Sequence, residues 1–210
     1  MIQLNNVTKV FKKNTVLDNI SYTFEGGKIY GLYGENGSGK TMLLRAVAGL
    51  IIPTSGEVLI DGKVLHKDIS FPENTGIVIE HMTLLPKFTA LENLKMLGKI
   101  NGRATEEDMK EALVRVGLDP ESHKKIEKFS LGMNQRLNIA QAIFEKQGII
   151  LLDEPTNALD EDGSKRIHTI LKEERERGAL VIMATHHKED LTEICDVKLR
   201  VSNGRIIEGE

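Results

Sequence analysis

The stretch GENGSGKT, residues 34–41, decides the fold class of this 210-residue chain. An apolar run, KIYGLY, precedes it, and a run with helical spacing, TMLLRAVAGL, follows it. Glycine lets a backbone turn tightly enough to point successive N–H groups at one anion, and the N-terminus of the following helix adds partial positive charge. A glycine-rich turn also joins many ordinary strands and helices. The Lys-Thr pair and both flanks fit the pattern G-x-x-x-x-G-K-[ST] of a phosphate-binding loop.

This loop predicts a nucleotide site that uses ATP and Mg²⁺. The Lys40 ammonium is expected to pair with the β- and γ-phosphates, and the Thr41 hydroxyl is expected to bind Mg²⁺. The residues predicted to contact the nucleotide from this stretch are Gly34, Glu35, Asn36, Gly37, Ser38, Gly39, Lys40 and Thr41.

The pattern on either side of the loop predicts an α/β fold with a P-loop NTPase core, a parallel sheet and an N-terminal antiparallel β subdomain. Alternating apolar residues and Gly-Gly, Ser-Gly and Asp-Gly turns fill the first part of the chain. Helical periodicity replaces them in residues 84–146, which predicts an inserted helical subdomain. Strands and helices then alternate again. We expect one domain over residues 1–210, with 1–83 and 147–210 as its core.

Two apolar strands in the second half end in polar residues that suit catalysis. The first, GIILLDEP, ends in Asp153, expected to reach Mg²⁺, and Glu154, expected to polarise the attacking water. The second, VIMATHH, ends in His186, expected to contact the γ-phosphate, and His187. Alternatively, the two acids only cap a loop, and the histidines are ordinary surface or core residues.

Composition excludes several other classes of protein. Charged residues make up 28% of the chain and the net charge is −3, so no basic surface for nucleic acid is expected. The single Cys195 cannot form an internal disulfide, which fits a reducing compartment. The longest apolar run, ALVIMA, is far shorter than the ~20 residues of a membrane-spanning helix, and no signal peptide is recognisable.

In order and spacing, these motifs resemble the nucleotide-binding subunit of an ABC transporter over essentially the whole chain. GENGSGKT resembles its Walker A, IILLDE its Walker B, NALD its D-loop, ATHH its switch histidine, and FSLGMNQR, residues 129–136, its signature. Leu-Ser-Gly-Gly is the common start of that signature, and here Phe129 and Leu131 replace its first and third residues. This variant looks like those of export subunits that handle drugs or antimicrobial peptides.

The resemblance implies further site residues and partners. Ser130, Gly132 and Asp160 would contact nucleotide held by a second subunit in a homodimer formed on ATP binding. Phe11 would stack on adenine, and Glu80, in place of the usual glutamine, would bind Mg²⁺.

The function that the resemblance implies is ATP hydrolysis that powers a separate exporting permease from the cytoplasmic face of the cell membrane. A soluble ABC-type ATPase without a transport role, and a nucleotide-gated switch that does not hydrolyse ATP, remain alternatives.

Overall fold

The computed structural model describes residues 1–79 and 84–208. An antiparallel sheet forms the N-terminal part, with strand order β2-β1-β4-β5. Its strands are β1 (Ile2–Phe11), β2 (Asn14–Phe24), β4 (Ser55–Ile60) and β5 (Lys63–Val64). β1 pairs antiparallel with both β2 and β4, and a short turn at Lys12 and Lys13 joins β1 to β2.

A second sheet of six strands carries the functional residues, in the order β10-β9-β3-β8-β7-β6. Its strands are β3 (Ile29–Tyr33), β6 (Thr75–Val78), β7 (Ile149–Asp153), β8 (Leu180–Ala184), β9 (Val197–Ser202) and β10 (Arg205–Glu208). Neighbouring strands are parallel except β9 and β10, which form an antiparallel hairpin. Because β3, β7 and β8 are parallel neighbours, their carboxyl ends meet at one edge of the sheet.

Within residues 1–79 and 84–208, six α-helices pack around the sheets. They are α1 (Lys40–Val47), α2 (Ala90–Asn101), α3 (Glu106–Arg115), α4 (Leu131–Ile143), α5 (Glu161–Glu176) and α6 (Lys188–Glu193). Reciprocal capping boxes begin α2, at Thr89 and Glu92, and α3, at Thr105 and Asp108. Each such cap stabilises its helix by about 1 kcal/mol.

Alternate residues of the parallel strands enter two different hydrophobic cores. In β7, Ile150 and Leu152 pack with residues of α2–α5, whereas Ile149 and Leu151 pack on the opposite face with α1 and the antiparallel sheet. A strand covered on both faces needs apolar residues at every position, which explains the unbroken run in its sequence. The predicted α/β class, with an antiparallel N-terminal sheet and helices between β6 and β7, is confirmed.

The end of α4 contacts the core sheet directly. A Cβ atom added at Gly76 of β6 would lie 1.9 Å from the backbone oxygen of Ala142 in α4. The proposed division into a core and an insertion at residues 84–146 stays a prediction, and α4 lies against the core sheet at its carboxyl end.

Candidate nucleotide site

The loop of residues 34–41 connects the end of β3 to the start of α1. Gly34, Gly37 and Gly39 have φ angles of 148°, 79° and 113°, in the region that favours glycine. At Gly34 a Cβ atom would also lie 2.1 Å from the backbone oxygen of Val201. Any side chain at this position would therefore force the loop away from the sheet.

The start of α1 is left open to an anion. Gly39 precedes the helix and supplies no capping side chain, and the first turn contains no acid. The Lys40 side chain is only 7% exposed, and its ammonium donates to the backbone oxygens of Gly34, at 2.8 Å, and Glu35, at 3.1 Å. The Ser38 hydroxyl is buried without a hydrogen-bond partner among the described residues. The buried Ser38 hydroxyl, the N–H groups at the start of α1 and the Lys40 ammonium are all groups that can bind phosphate oxygens.

Thr41 and Asp153 face each other across the sheet edge. The Thr41 hydroxyl donates to Asp153 Oδ2 at 2.7 Å. Both line an open cleft of ≈ 420 Å³ together with residues 36–40 and Glu154. Adjacent ligands of an octahedral Mg²⁺ ion lie about 2.9 Å apart when each is 2.0–2.1 Å from the metal. The two oxygen atoms therefore fit two neighbouring positions of such an ion.

Glu154 and His186 form a hydrogen-bonded pair beside this cleft. His186 Nδ1 lies 2.8 Å from Glu154 Oε2, and the His186 backbone N–H is 3.4 Å from the same oxygen. The register of β7 beside β8 produces this contact, since Asp153 pairs with Ala184 and the following residues continue side by side. One ligand atom each from Glu154, His186 and His187 lie within 4.8 Å of one another, so this trio also has the donor set of a transition-metal site.

The backbone at Glu154 is strained and is held by hydrogen bonds. Its φ angle is 51°, which is uncommon for a residue other than glycine. The Glu154 N–H donates to the Ala184 oxygen at 2.8 Å. Gln135 Nε2 of α4 donates to the backbone oxygens of Glu154, at 3.1 Å, and Pro155, at 3.0 Å. The stretch FSLGMNQR therefore contacts the loop after β7 of its own chain, a contact that the sequence analysis did not predict.

Three other predicted residues lie at helix starts rather than among the residues described as lining this cleft. The Ser130 hydroxyl accepts from the Met133 N–H at 3.2 Å and caps α4. Asp160 Oδ1 accepts from the Gly163 N–H at 2.9 Å and caps α5. Gly132 lies against the loop between β7 and α5, where a Cβ atom would be 3.1 Å from the Ala158 oxygen.

Of the two remaining predicted residues, the structure describes only Phe11. Phe11, at the end of β1, is 44% exposed and does not line the cleft among the described residues; the Lys9 ammonium lies 4.6 Å from its ring centroid. Glu80, the predicted Mg²⁺ ligand, lies outside the described residues.

Within residues 1–79 and 84–208, every helix is too short or too polar to cross a bilayer. Burial raises the pKa of the Cys195 thiol to about 12, so it stays protonated near neutral pH.

Comparison with known proteins identifies the family. The ABC transporter family profile matches residues 17–157. The chain is 58% identical over 206 residues to the ABC transporter ATP-binding protein YybJ of Bacillus subtilis, covering 98% of this chain and 94% of YybJ. It is 35% identical over 210 residues to the bacitracin transport ATP-binding protein BcrA of Enterococcus faecalis, covering 99% of this chain and 68% of BcrA.

A solved structure has the same fold and includes reaction products. The ATP-binding cassette MJ0796, a dimer in a post-hydrolysis state with ADP and Pi, superposes with a TM-score of 0.89 at 28% identity, covering 100% of this chain and 98% of that chain. The family match spans more than half of the chain and contains both the phosphate-binding loop and the acidic strand end. The chain therefore belongs to the ABC transporter family, as its ATP-binding and ATP-hydrolysing subunit.

Proposed function

We propose that this subunit hydrolyses Mg²⁺-ATP in the cleft described above and closes on a second copy of the chain to power a separate exporting permease. One observation supports the hydrolytic part most strongly. Lys40, the Thr41–Asp153 pair and the Glu154–His186 pair all stand at one edge of the parallel sheet, with hydrogen bonds of 2.7 and 2.8 Å within the pairs. The Lys40 cation, the two metal ligands and the proposed base would therefore all act on one bound triphosphate.

The binding residues act mainly by charge and by position. Lys40 and the N–H groups at the start of α1 would hold the phosphate oxygens, while Thr41 and Asp153 would hold Mg²⁺, with Glu80 as a further ligand. Bound Mg²⁺ would neutralise charge that develops on the phosphate oxygens. The adenine would stack on the exposed ring of Phe11.

Glu154 and His186 would do the proton chemistry. An ionised Glu154 only accepts hydrogen bonds, so His186 Nδ1 carries the proton in their 2.8 Å contact. The second Glu154 oxygen can then accept a proton from the attacking water. When the imidazole is doubly protonated, its Nε2–H can donate to a γ-phosphate oxygen and stabilise the charge there.

The dimer would complete the site from the other side. Ser130 and Gly132 stand at the exposed start of α4, where Leu131 is 65% exposed. In a head-to-tail pair, Ser130 and the α4 N-terminus would contact the γ-phosphate on the partner, and Asp160 would lie beside it. The dimeric state of the neighbour MJ0796 supports the pairing of two copies. ATP would then join the subunits, and hydrolysis would release them.

The subunit would couple to a permease through the apolar surface that lies just before α2. Leu85 and Phe88 are large hydrophobic residues exposed here. The Leu85 backbone is fixed by the buried Asn93 side chain, which accepts from its N–H at 2.8 Å and donates to its oxygen at 3.2 Å. A fixed apolar surface of this kind suits a helix of a membrane partner. The subunit would then lie at the cytoplasmic face of the cell membrane.

The similarity of this chain to BcrA supports the proposal that the transport system exports antimicrobial compounds.

The Leu85→Glu substitution tests the proposed contact with the permease. We expect the variant to fold and hydrolyse ATP alone but to lose copurification with its permease. If Leu85→Glu retains full copurification with the permease, this surface is not the docking site. If the wild-type chain copurifies with no membrane protein, the alternative of a soluble ABC-type ATPase without a transport role is favoured.

Two substitutions test the hydrolytic assignment. We expect Lys40→Ala to lose ATP binding, because it removes the cation, whereas Glu154→Gln should bind ATP but stop turning over, because it removes the base. Fluorescent-nucleotide binding and phosphate release measure the two effects separately. Turnover of Glu154→Gln at the wild-type rate would exclude Glu154 as the base.

A mixing experiment tests whether the signature acts on the partner. Inactive Lys40→Ala and Ser130→Arg proteins are combined. If Ser130 acts in trans, the mixed dimer contains one intact site and one site with both lesions, so activity should return. Crosslinking measures mixed dimers. If mixed dimers form but hydrolyse no ATP, the result contradicts the hypothesis that each site works independently and is completed by the signature of the partner.

A further inference from the structure

A buried carboxylate, Asp190, connects three separate segments beside the catalytic pair. It lies in the first turn of α6 and is 1% exposed. Asp190 Oδ2 accepts from the hydroxyls of Thr185, at 2.6 Å, and Thr156, at 2.8 Å. Its other oxygen lies 2.7 Å from Nε2 of His168 in α5. A charge buried this deeply is stable only when several donors surround it, and here three do.

The two threonines flank the proposed catalytic residues in sequence. Thr185 immediately precedes His186, and Thr156 follows Glu154 by two positions. Thr185 also accepts from the His187 N–H at 3.0 Å, so its hydroxyl holds the turn that carries His186. One carboxylate therefore fixes the loops after β7 and β8 to each other.

His168 ties this connection to α5. Its ring is buried, and its Nδ1 lies 3.1 Å from Glu193 Oε2, so an acid faces each nitrogen. The hydrogen bond with Asp190 raises the pKa of His168 above its ordinary value, which favours the imidazolium form. A cation between the two acids compensates the charge that Asp190 brings into the interior.

We propose that Asp190 and His168 are positioning residues, which through Thr156 and Thr185 hold Glu154 and His186 in their productive contact. This inference rests on the proposed roles of Glu154 and His186. Neither Asp190 nor His168 touches the cleft that would hold the phosphates, so they act through the two loops.

The strain at Glu154 explains why such an anchor is needed. A residue with φ of 51° keeps this conformation only when its surroundings fix it more firmly than the backbone alone would. The Thr156 hydroxyl bond fixes the chain on the far side of Pro155, opposite to the Ala184 contact that fixes Glu154 itself. Loss of the anchor would let the carboxylate drift, and a displacement of ~1 Å from productive geometry can reduce a rate by about 10²-fold.

The sharpest test removes only the hydroxyl groups. Thr185→Val and Thr156→Val keep nearly the same side-chain shape but cannot donate to Asp190. We expect each to reduce kcat by about 10- to 100-fold while ATP affinity changes less than about 2-fold, because other elements bind the phosphates. Thr185→Ser and Thr156→Ser retain the hydroxyl and should recover most of the lost kcat.

Asp190→Asn and His168→Gln test the anchor itself, with Glu174→Gln as the matched control. Glu174 also lies on α5 and is 3% exposed, but its oxygens accept from Arg115 at 2.7 Å and Arg177 at 2.6 Å, near the carboxyl end of the helix. Thermal unfolding and kcat are measured on every variant. We expect all three to lower the melting temperature, and only the anchor variants to lower kcat.

The outcomes separate this inference from the proposed function. If Glu154→Gln abolishes turnover but both valine variants keep wild-type kcat, the positioning role is wrong and the hydrolytic assignment stands. If Glu174→Gln lowers kcat as much as the anchor variants do, the network is only structural. If Asp190→Asn does not fold, the valine and serine pairs still decide the question. Wild-type turnover by Glu154→Gln would overturn both proposals.

Discussion

Replacing Gln135 with alanine should slow ATP hydrolysis without weakening ATP binding. Gln135 donates to the backbone oxygens of Glu154 and Pro155 at 3.1 and 3.0 Å from a partly buried position. Each such bond contributes about 1 kcal/mol net, so the substitution removes about 2 kcal/mol that favours the strained loop conformation. If all of this is lost from the catalytically competent state, kcat falls by about 30-fold, and partial compensation by water would leave a decrease of about 5-fold.

Three measurements on one preparation check this prediction. Phosphate release gives kcat, a fluorescent nucleotide gives the ATP dissociation constant, and urea denaturation gives the free energy of unfolding. Asn134→Ala is the control, because Asn134 is next to Gln135 on α4 and its side chain points about 100° away around the helix axis. Its kcat should stay within about 2-fold of the wild type.

Gln135→Glu sharpens the test. A carboxylate has no N–H to donate to the two carbonyl oxygens and would repel them, so the kcat of Gln135→Glu should fall below that of Gln135→Ala. Wild-type kcat in Gln135→Ala, together with a loss of about 2 kcal/mol in unfolding free energy, would refute the reasoning. The two hydrogen bonds would then stabilise the fold without holding the catalytic geometry.

Three further predictions concern metal, packing and pH. Glu80→Gln should change the Mg²⁺ concentration that half-activates hydrolysis without abolishing it, because an amide carries no charge toward metal or phosphate; an unchanged titration would indicate an idle side chain. Gly76→Ala should lower unfolding free energy by about 2 kcal/mol, since its Cβ would meet the Ala142 oxygen at 1.9 Å, whereas an unchanged denaturation midpoint would contradict that close approach. The raised pKa of His168 contributes stability that is complete below its ordinary 6.5 and is lost as pH rises through the folded value, so His168→Gln should flatten this limb of the urea-denaturation profile.

Asp190 gives the unfolding free energy the opposite pH dependence, in the acid range of the urea-denaturation profile. Burial raises the pKa of Asp190, but hydrogen bonds from His168, Thr185 and Thr156 outweigh it and leave the pKa below its ordinary 3.8. Its contribution is therefore present above pH 3.8 and is lost as pH falls through the folded value.

The sequence singled out residues that follow strand ends. The pattern of an apolar run followed by a functional side chain indicated Lys40, Thr41 and Asp153, and the structure brings Thr41 and Asp153 into contact, because parallel strands deliver their carboxyl ends to one edge whatever the details of packing. The family resemblance and the α/β class followed from the same motifs and are confirmed. The roles of the individual residues remain predictions.

The contacts that hold the catalytic loop could not be predicted, for a physical reason. Gln135 and Glu154 are 19 positions apart, and Asp190 is 34 positions from Thr156. A side chain finds such partners only after helices and strands have packed with a particular offset, and no periodicity in sequence encodes that offset. The motif identifies the residue that carries the charge, and the packed structure determines its orientation. If Glu154 and His186 have the proposed roles, the control of hydrolysis lies partly in Gln135 and in the Asp190 anchor, which hold the loop after β7 and do not line the phosphate cleft.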